Sequence, residues 1–141
     1  MKHSIEYMIA KCIRAGMCKD FRTQEVYAQR MLENAEYFDE QLKVYQFYIK
    51  ANINGQYVSG IQEKLLVAAE TFKELKDVYL WANQRKDAQF ADAVKEKVYL
   101  TAGFFEIEEF YYWAEVQGVN LDKAEFRTAR LKKLPLIGKL F

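Results

Sequence analysis

Apolar residues recur at a helical period over most of this chain. From Ala28 to Ile49 they step alternately by three and four positions, and a second series of the same kind runs from Val58 to Ala82. This heptad spacing is typical of helices that pack along one face. The single proline, Pro135, lies near the C-terminus, so residues 20–117 contain no proline that would end a helix. The pattern therefore predicts an all-α protein.

Turn and capping signals divide this pattern into five predicted helices. Ser59 and Gln62 have the spacing of a capping box at a helix start, and Asp87 is expected to cap the next helix. A short last helix is expected to begin near Asp122 and to end before Leu134, because the residue preceding a proline disfavours helical geometry. The expected breaks are Gly16, residues 52–55, residues 83–87 and Gly118.

The predicted fold is an elongated antiparallel bundle of three long helices with short flanking helices at both ends. Each long helix would contain roughly 30 residues and span about 40–45 Å at 1.5 Å per residue. Short polar connections make successive helices antiparallel neighbours. Residues 1–133 form the predicted helical bundle domain and residues 134–141 form a basic and apolar C-terminal tail. No internal repeat is expected beyond the heptads.

Charge is distributed unevenly along a chain that is nearly neutral overall. The net charge is +1, which gives no global field for binding nucleic acid or membranes. Residues 122–141 contain six basic and two acidic residues, so the body before them carries a small negative charge. The basic patch comprises Lys123, Arg127, Arg130, Lys132 and Lys133. Its few charges argue against nucleic acid as a partner, since specific binders contact several phosphates.

Aromatic residues are concentrated in the fourth predicted helix. Six of the ten residues from 104 to 113 are aromatic, and apolar residues cover two faces of the helix. A helix with two apolar faces buries both, either at the centre of the bundle or in an interface between two copies. The sequence leaves both alternatives open. The residues expected to take part in self-association are Phe104, Phe105, Ile107, Tyr111 and Tyr112.

Candidate catalytic and metal-binding residues are few. The only histidine, His3, lies near the N-terminus, and Cys12 and Cys18 do not have a common zinc-site spacing. No serine or cysteine has a plausible histidine partner, so a nucleophile–histidine pair is not expected. We therefore expect no enzyme activity and no cofactor. The alternative is a bundle that binds a small ligand or metal near Glu108, which lies on an apolar face of the fourth helix.

The C-terminal tail is the clearest candidate for binding another molecule. It could seal one end of the bundle, dock on a partner protein, or attach the protein to an anionic membrane surface. Lysines beside apolar residues would assist either kind of docking. The residues expected to bind the partner are Leu134, Pro135, Leu136, Ile137, Leu140 and Phe141.

These observations predict a non-enzymatic helical interaction protein. It would be a small adaptor, assembly factor or accessory subunit that self-associates and docks through its tail. The sequence contains neither a run of apolar residues long enough to span a membrane nor a signal peptide, so a cytoplasmic location is expected.

Overall fold

The computed structural model describes residues 3–134. In that range the backbone forms eight α-helices and no strand, which confirms the all-α class. The helices contain between 9 and 14 residues, so the three long helices expected from the heptads are each interrupted. The helices are α1 (Ile5–Met17), α2 (Phe21–Asn34), α3 (Phe38–Ala51), α4 (Gly55–Ala68), α5 (Phe72–Gln84), α6 (Ala88–Thr101), α7 (Phe104–Val116) and α8 (Lys123–Leu131).

Consecutive helices pair into four helical hairpins that share one type of turn. Each turn contains one residue with a left-handed backbone, and these residues follow one another at intervals of 33, 34 and 32 positions. The next residue donates a backbone hydrogen bond to the carbonyl of a buried residue at the end of the preceding helix, as in a Schellman cap. The left-handed residues are Lys19, Asn52, Lys86 and Gly118, and the buried acceptors are Ala15, Tyr48, Ala82 and Ala114.

The joints between hairpins also repeat. Each joint begins with a buried alanine in extended conformation at the end of the preceding helix: Ala35, Ala69 and Ala102. A glutamate in the first turn of the next helix then accepts hydrogen bonds from backbone N–H groups of the joint. These glutamates are Glu40, Glu74 and Glu106. Residues 3–134 therefore contain four similar helical hairpins, an internal repeat that the sequence analysis did not find.

The chain divides into two compact units, Met1–Ala69 and Glu70–Phe141, each with two hairpins. In the N-terminal unit the α2 and α4 helices approach closely, because Gly60 leaves room for Leu32. The buried Tyr48 hydroxyl of this unit donates to the Ala28 carbonyl over 2.5 Å. This bond joins its two hairpins.

The core of the C-terminal unit is an aromatic cluster around Phe110. Its ring is buried and has edge contacts with Tyr79 at 5.0 Å and Tyr99 at 6.2 Å between centroids. The Trp113 ring stacks on it at 5.9 Å. The cluster therefore connects α5, α6 and α7 within this unit.

Several predicted boundaries agree with the structure and one does not. The predicted Asp87 and Asp122 are N-caps whose side chains accept backbone hydrogen bonds, and the structure adds Ser4 and Asp20 as caps of the same kind. The capping box expected at Ser59 and Gln62 is wrong, because α4 begins at Gly55 and both residues lie inside it. The predicted start of the tail lies at the end of the described range, so that boundary stays a prediction. No helix within residues 3–134 has the length and hydrophobicity needed to cross a bilayer.

Candidate functional site: the cleft between α7 and α8

A cleft of about 340 Å³ lies between the last two helices and gathers basic and aromatic side chains. Five of its seven residues come from two groups that the sequence analysis predicted separately, the aromatic self-association residues and the basic patch. The cleft is lined by Tyr111, Tyr112 and Glu115 on α7 and by Lys123, Phe126, Arg127 and Arg130 on α8.

Helix α8 is held against α7 by an aromatic stack. The rings of Tyr111 and Phe126 lie 4.1 Å apart, nearly parallel, and both residues are buried. The Asp122 carboxylate caps α8 by accepting a hydrogen bond from the backbone N–H of Glu125 over 3.0 Å. Positions three and four apart share a helix face, so Lys123, Arg127 and Arg130 all border the cleft.

Arg130 is fixed by both charge and aromatic contacts. Its Nη1 donates to Glu108 Oε1 over 3.0 Å. Its guanidinium carbon lies 5.0 Å from the centroid of the Phe126 ring and 5.7 Å from that of Phe104. Glu108 compensates the charge of this arginine, while the exposed Lys123 and Arg127 keep the cleft positive.

The Tyr111 hydroxyl is hydrogen-bonded to the Glu115 carboxylate within the cleft. Burial, and then the neighbouring Glu115 carboxylate, raises the pKa of the Tyr111 phenol above its ordinary value. The phenol therefore stays protonated at neutral pH. The cations and ring faces of the cleft favour an anionic group attached to an apolar or aromatic one.

The five residues expected to take part in self-association differ in how far they are buried. Ile107 and Tyr111 are buried in the C-terminal unit, and Phe104 is half-buried. Phe105 is 79% exposed and Tyr112 is 59% exposed. These last two residues are seven positions apart and share a face of α7, so they are the part of the predicted set that is free to contact another molecule.

The basic patch extends over two sides of α8. Lys132 lines a groove between α6 and α8 instead of the α7–α8 cleft. Lys133 Nζ donates to the Leu100 carbonyl at the end of α6 over 2.6 Å. Leu134 is exposed. The other tail residues, Pro135, Leu136, Ile137, Leu140 and Phe141, lie outside the described residues.

The surroundings of Glu108 differ from those of a metal ligand. Its carboxylate is half-buried and bonded to Arg130. Within residues 3–134, no three His, Cys, Asp or Glu side chains gather as a metal site would require. His3 stacks on the Tyr7 ring at 4.3 Å. Cys12 is a buried free thiol and Cys18 an exposed one.

The sequence analysis missed the groove between α6 and α8. Its volume is about 430 Å³, and Tyr99 and Leu100 on α6 face Ala124, Thr128 and Ala129 on α8. The sequence did contain one sign of this groove. The spacing of Ala124, Thr128 and Lys132 places small and polar residues along one side of α8.

Comparisons with known proteins found no matching family model, no matching curated protein and no matching solved structure.

Proposed function

We propose that this chain is a non-enzymatic helical interaction protein, an adaptor or accessory subunit that binds other proteins and its own copies. The observation that carries this proposal is the surface formed by α7 and α8. Exposed aromatic and basic side chains of these two helices lie beside one cleft. Arrays of helical hairpins are a common scaffold for such surfaces, because each hairpin buries one face and leaves the other for a partner.

Self-association is proposed to use Phe105 and Tyr112. Exposed rings on one helix face bury much apolar area for little loss of rotamer entropy when two copies meet. Light scattering coupled to size exclusion tests this on the full chain. We expect a mass above that of the monomer for the parent protein and a monomer for the double variant Phe105→Ser with Tyr112→Ser.

A matched control uses Met17, which is 80% exposed in the N-terminal unit. Met17→Ser removes a comparable exposed apolar side chain and is expected to leave the mass unchanged. A parent chain that is monomeric at tens of micromolar would exclude self-association and leave docking of a foreign partner.

The tail supplies the second proposed contact. Its apolar residues would fill a pocket on the partner while its lysines assist the approach. A synthetic peptide of residues 130–141 should retain a partner from a cell extract, and a peptide with Leu140→Ser and Phe141→Ser should not. Sedimentation of the full chain with anionic vesicles would instead favour attachment to membranes.

A further inference from the structure

Two cations of the α7–α8 cleft form no ion pair within residues 3–134. Arg130 is neutralised by its ion pair with α7, and the Glu115 carboxylate is bonded to a tyrosine hydroxyl. Lys123 and Arg127 are exposed, and neither side chain takes part in the ion pairs of this part of the chain. These two cations can therefore bind a carboxylate that comes from outside the copy.

The first half of α7 presents a ring and a carboxylate one turn apart. Phe105 is 79% exposed, and the Glu109 side chain is 61% exposed. Positions four apart share a helix face. The Phe105 ring packs edge-on against Phe104 with centroids 5.3 Å apart, so its position is fixed while it stays uncovered. Glu109 Oε1 lies 3.6 Å from Lys76 Nζ, a loose ion pair that leaves the carboxylate accessible. Together the ring and the carboxylate have the chemistry that the cleft favours.

The ring and carboxylate lie at the opposite end of α7 from the cleft. Tyr112, which lines the cleft, shares a helix face with Phe105 but lies seven residues further on. Seven residues of a helix span about 10 Å, so the Phe105 ring does not enter the cleft of its own copy. In two antiparallel α7 helices, however, the first half of each lies beside the second half of the other.

A twofold axis would satisfy both contacts at once. Each copy carries the ring–carboxylate pair and the cleft on one face, and a twofold interface uses the same face of both copies. A parallel arrangement of the two α7 helices would instead bring the two Glu109 carboxylates together, which like-charge repulsion disfavours.

We propose that the α7–α8 cleft of one copy binds Phe105 and Glu109 of a second copy, and that the reciprocal contact forms a twofold dimer. The Phe105 ring packs on the partner's Tyr112, and the Glu109 carboxylate accepts hydrogen bonds from the partner's Arg127. A guanidinium can donate two parallel hydrogen bonds to a carboxylate, so this pair fixes the register. This inference rests on the proposed self-association and adds to it an orientation and a charge pair.

Reversal of each charge tests the proposal. Glu109→Arg and Arg127→Glu each place like charges at both reciprocal contacts. By light scattering coupled to size exclusion, we expect a dimer for the parent chain and a monomer for either variant. The matched control is Glu63→Arg, which makes the same change at an exposed position of α4 and should leave the dimer intact. Should Glu109→Arg fail to fold, Glu109→Gln removes the charge alone and should weaken dimerisation at least about tenfold.

A mixing experiment shows whether the charge pair joins two copies. In an equal mixture of the Glu109→Arg and Arg127→Glu chains, each contact again pairs a cation with a carboxylate. We therefore expect native mass spectrometry to show a dimer that contains one chain of each kind, although each chain alone is monomeric. A mixture that stays monomeric would overturn the proposal.

The same measurements separate failure of this pairing from failure of self-association. A monomeric parent chain would overturn both. A parent chain that associates, with Glu109→Arg and Arg127→Glu variants that associate equally well, would overturn only the pairing. Self-association through the exposed rings would then stand in another orientation.

Discussion

At the scale of single residues, the two cysteines differ strongly in their surroundings. Cys12 is fully buried, and its Sγ lies 3.5 Å from the Gln24 carbonyl as a hydrogen-bond donor. Burial raises the pKa of the Cys12 thiol to about 11. Cys18 is exposed in the first hairpin turn. A thiol reagent at neutral pH should therefore modify Cys18 quickly and Cys12 only when the N-terminal unit unfolds.

The raised pKa of Cys12 predicts a loss of stability at alkaline pH. An unfolded thiol has a pKa of ~8.5. Between that value and the folded pKa of about 11, the folded state holds the proton that the unfolded state releases. The free energy of unfolding should therefore be unaffected by this group below pH ~8.5 and fall above it by up to about 1.4 kcal/mol per pH unit. Urea denaturation from pH 7.5 to 10.5 measures this slope.

Substitution of each cysteine checks the assignment of that slope. Cys12→Ala should flatten the alkaline dependence while lowering stability at all pH values through the lost packing. Cys18→Ala should leave the slope unchanged, because its thiol is exposed in both states. Equal slopes in the parent and Cys12→Ala proteins would contradict the prediction.

The left-handed turn residues give a second test at this scale. Lys86 adopts φ 62° and Gly118 adopts φ 81° in equivalent turns of the C-terminal unit. Left-handed geometry costs about 1–2 kcal/mol for a residue with a Cβ, and glycine avoids this cost. We expect Lys86→Gly to raise the free energy of unfolding by about 0.5–1 kcal/mol and Gly118→Ala to lower it by about 1 kcal/mol in urea titrations. A Lys86→Gly protein that is less stable than the parent would contradict this account.

At the scale of helices, the joints between hairpins depend on one glutamate each. Glu74 Oε1 accepts hydrogen bonds from the backbone N–H groups of Glu70 and Thr71 over 3.0 and 3.1 Å. Glu40 does the same for Glu36 and Tyr37. Burial would raise the pKa of Glu74, but these hydrogen bonds outweigh it and the pKa lies below its ordinary value. The ionised carboxylate therefore stabilises the start of α5.

Removing these caps should destabilise the hairpin that each one begins. Glu40→Ala and Glu74→Ala should each lower the free energy of unfolding by about 1 kcal/mol, the usual value of a helix cap. The Glu74 contribution should be present at neutral pH and disappear as the pH falls through its lowered pKa. The control is Glu63→Ala, an exposed position within α4, for which urea titration should show little change.

The same joints explain which parts of the fold could be predicted. Turns marked by glycine or by asparagine and aspartate were found, apart from the joint at Gly103, because left-handed geometry and N-caps have specific residue preferences. The joints at Ala35 and Ala69 contain neither glycine nor proline. The first heptad series passes through Ala35 and the second through the neighbouring Ala68, so the heptads continue across each break. The recurring Ala-Glu-x-Phe-x-Glu at residues 35–40 and 69–74 was the available signal.

The candidate site could be predicted only in part, because the residue pattern does not determine which side chains meet in the folded protein. The aromatic and basic residues of the cleft were recognised from composition, but periodicity does not say which of two apolar faces is buried. Tertiary packing decides that Ile107 and Tyr111 face inward while Phe105 and Tyr112 face solvent. The pairing of Glu108 with Arg130 joins residues 22 positions apart and follows from the stacking of α8 on α7.

At the scale of the whole molecule, stability should be distributed between the two units, because each has its own core. Phe110 is fully buried at the centre of the aromatic cluster in the C-terminal unit. Phe110→Ala should cost about 3–5 kcal/mol, since it removes a large side chain and leaves a cavity. Because the two units have separate cores, this loss should fall mainly in the C-terminal unit.

Hydrogen exchange followed by mass spectrometry measures where this loss falls. We expect Phe110→Ala to speed exchange in peptides from residues 70–134 much more than in peptides from residues 3–68. The matched control is Val116→Ala on the same helix, whose side chain is 83% exposed and whose loss should change exchange little. Equal acceleration in both units for Phe110→Ala would show that the chain unfolds as one cooperative body, because opening of a single unit cannot expose amides of the other.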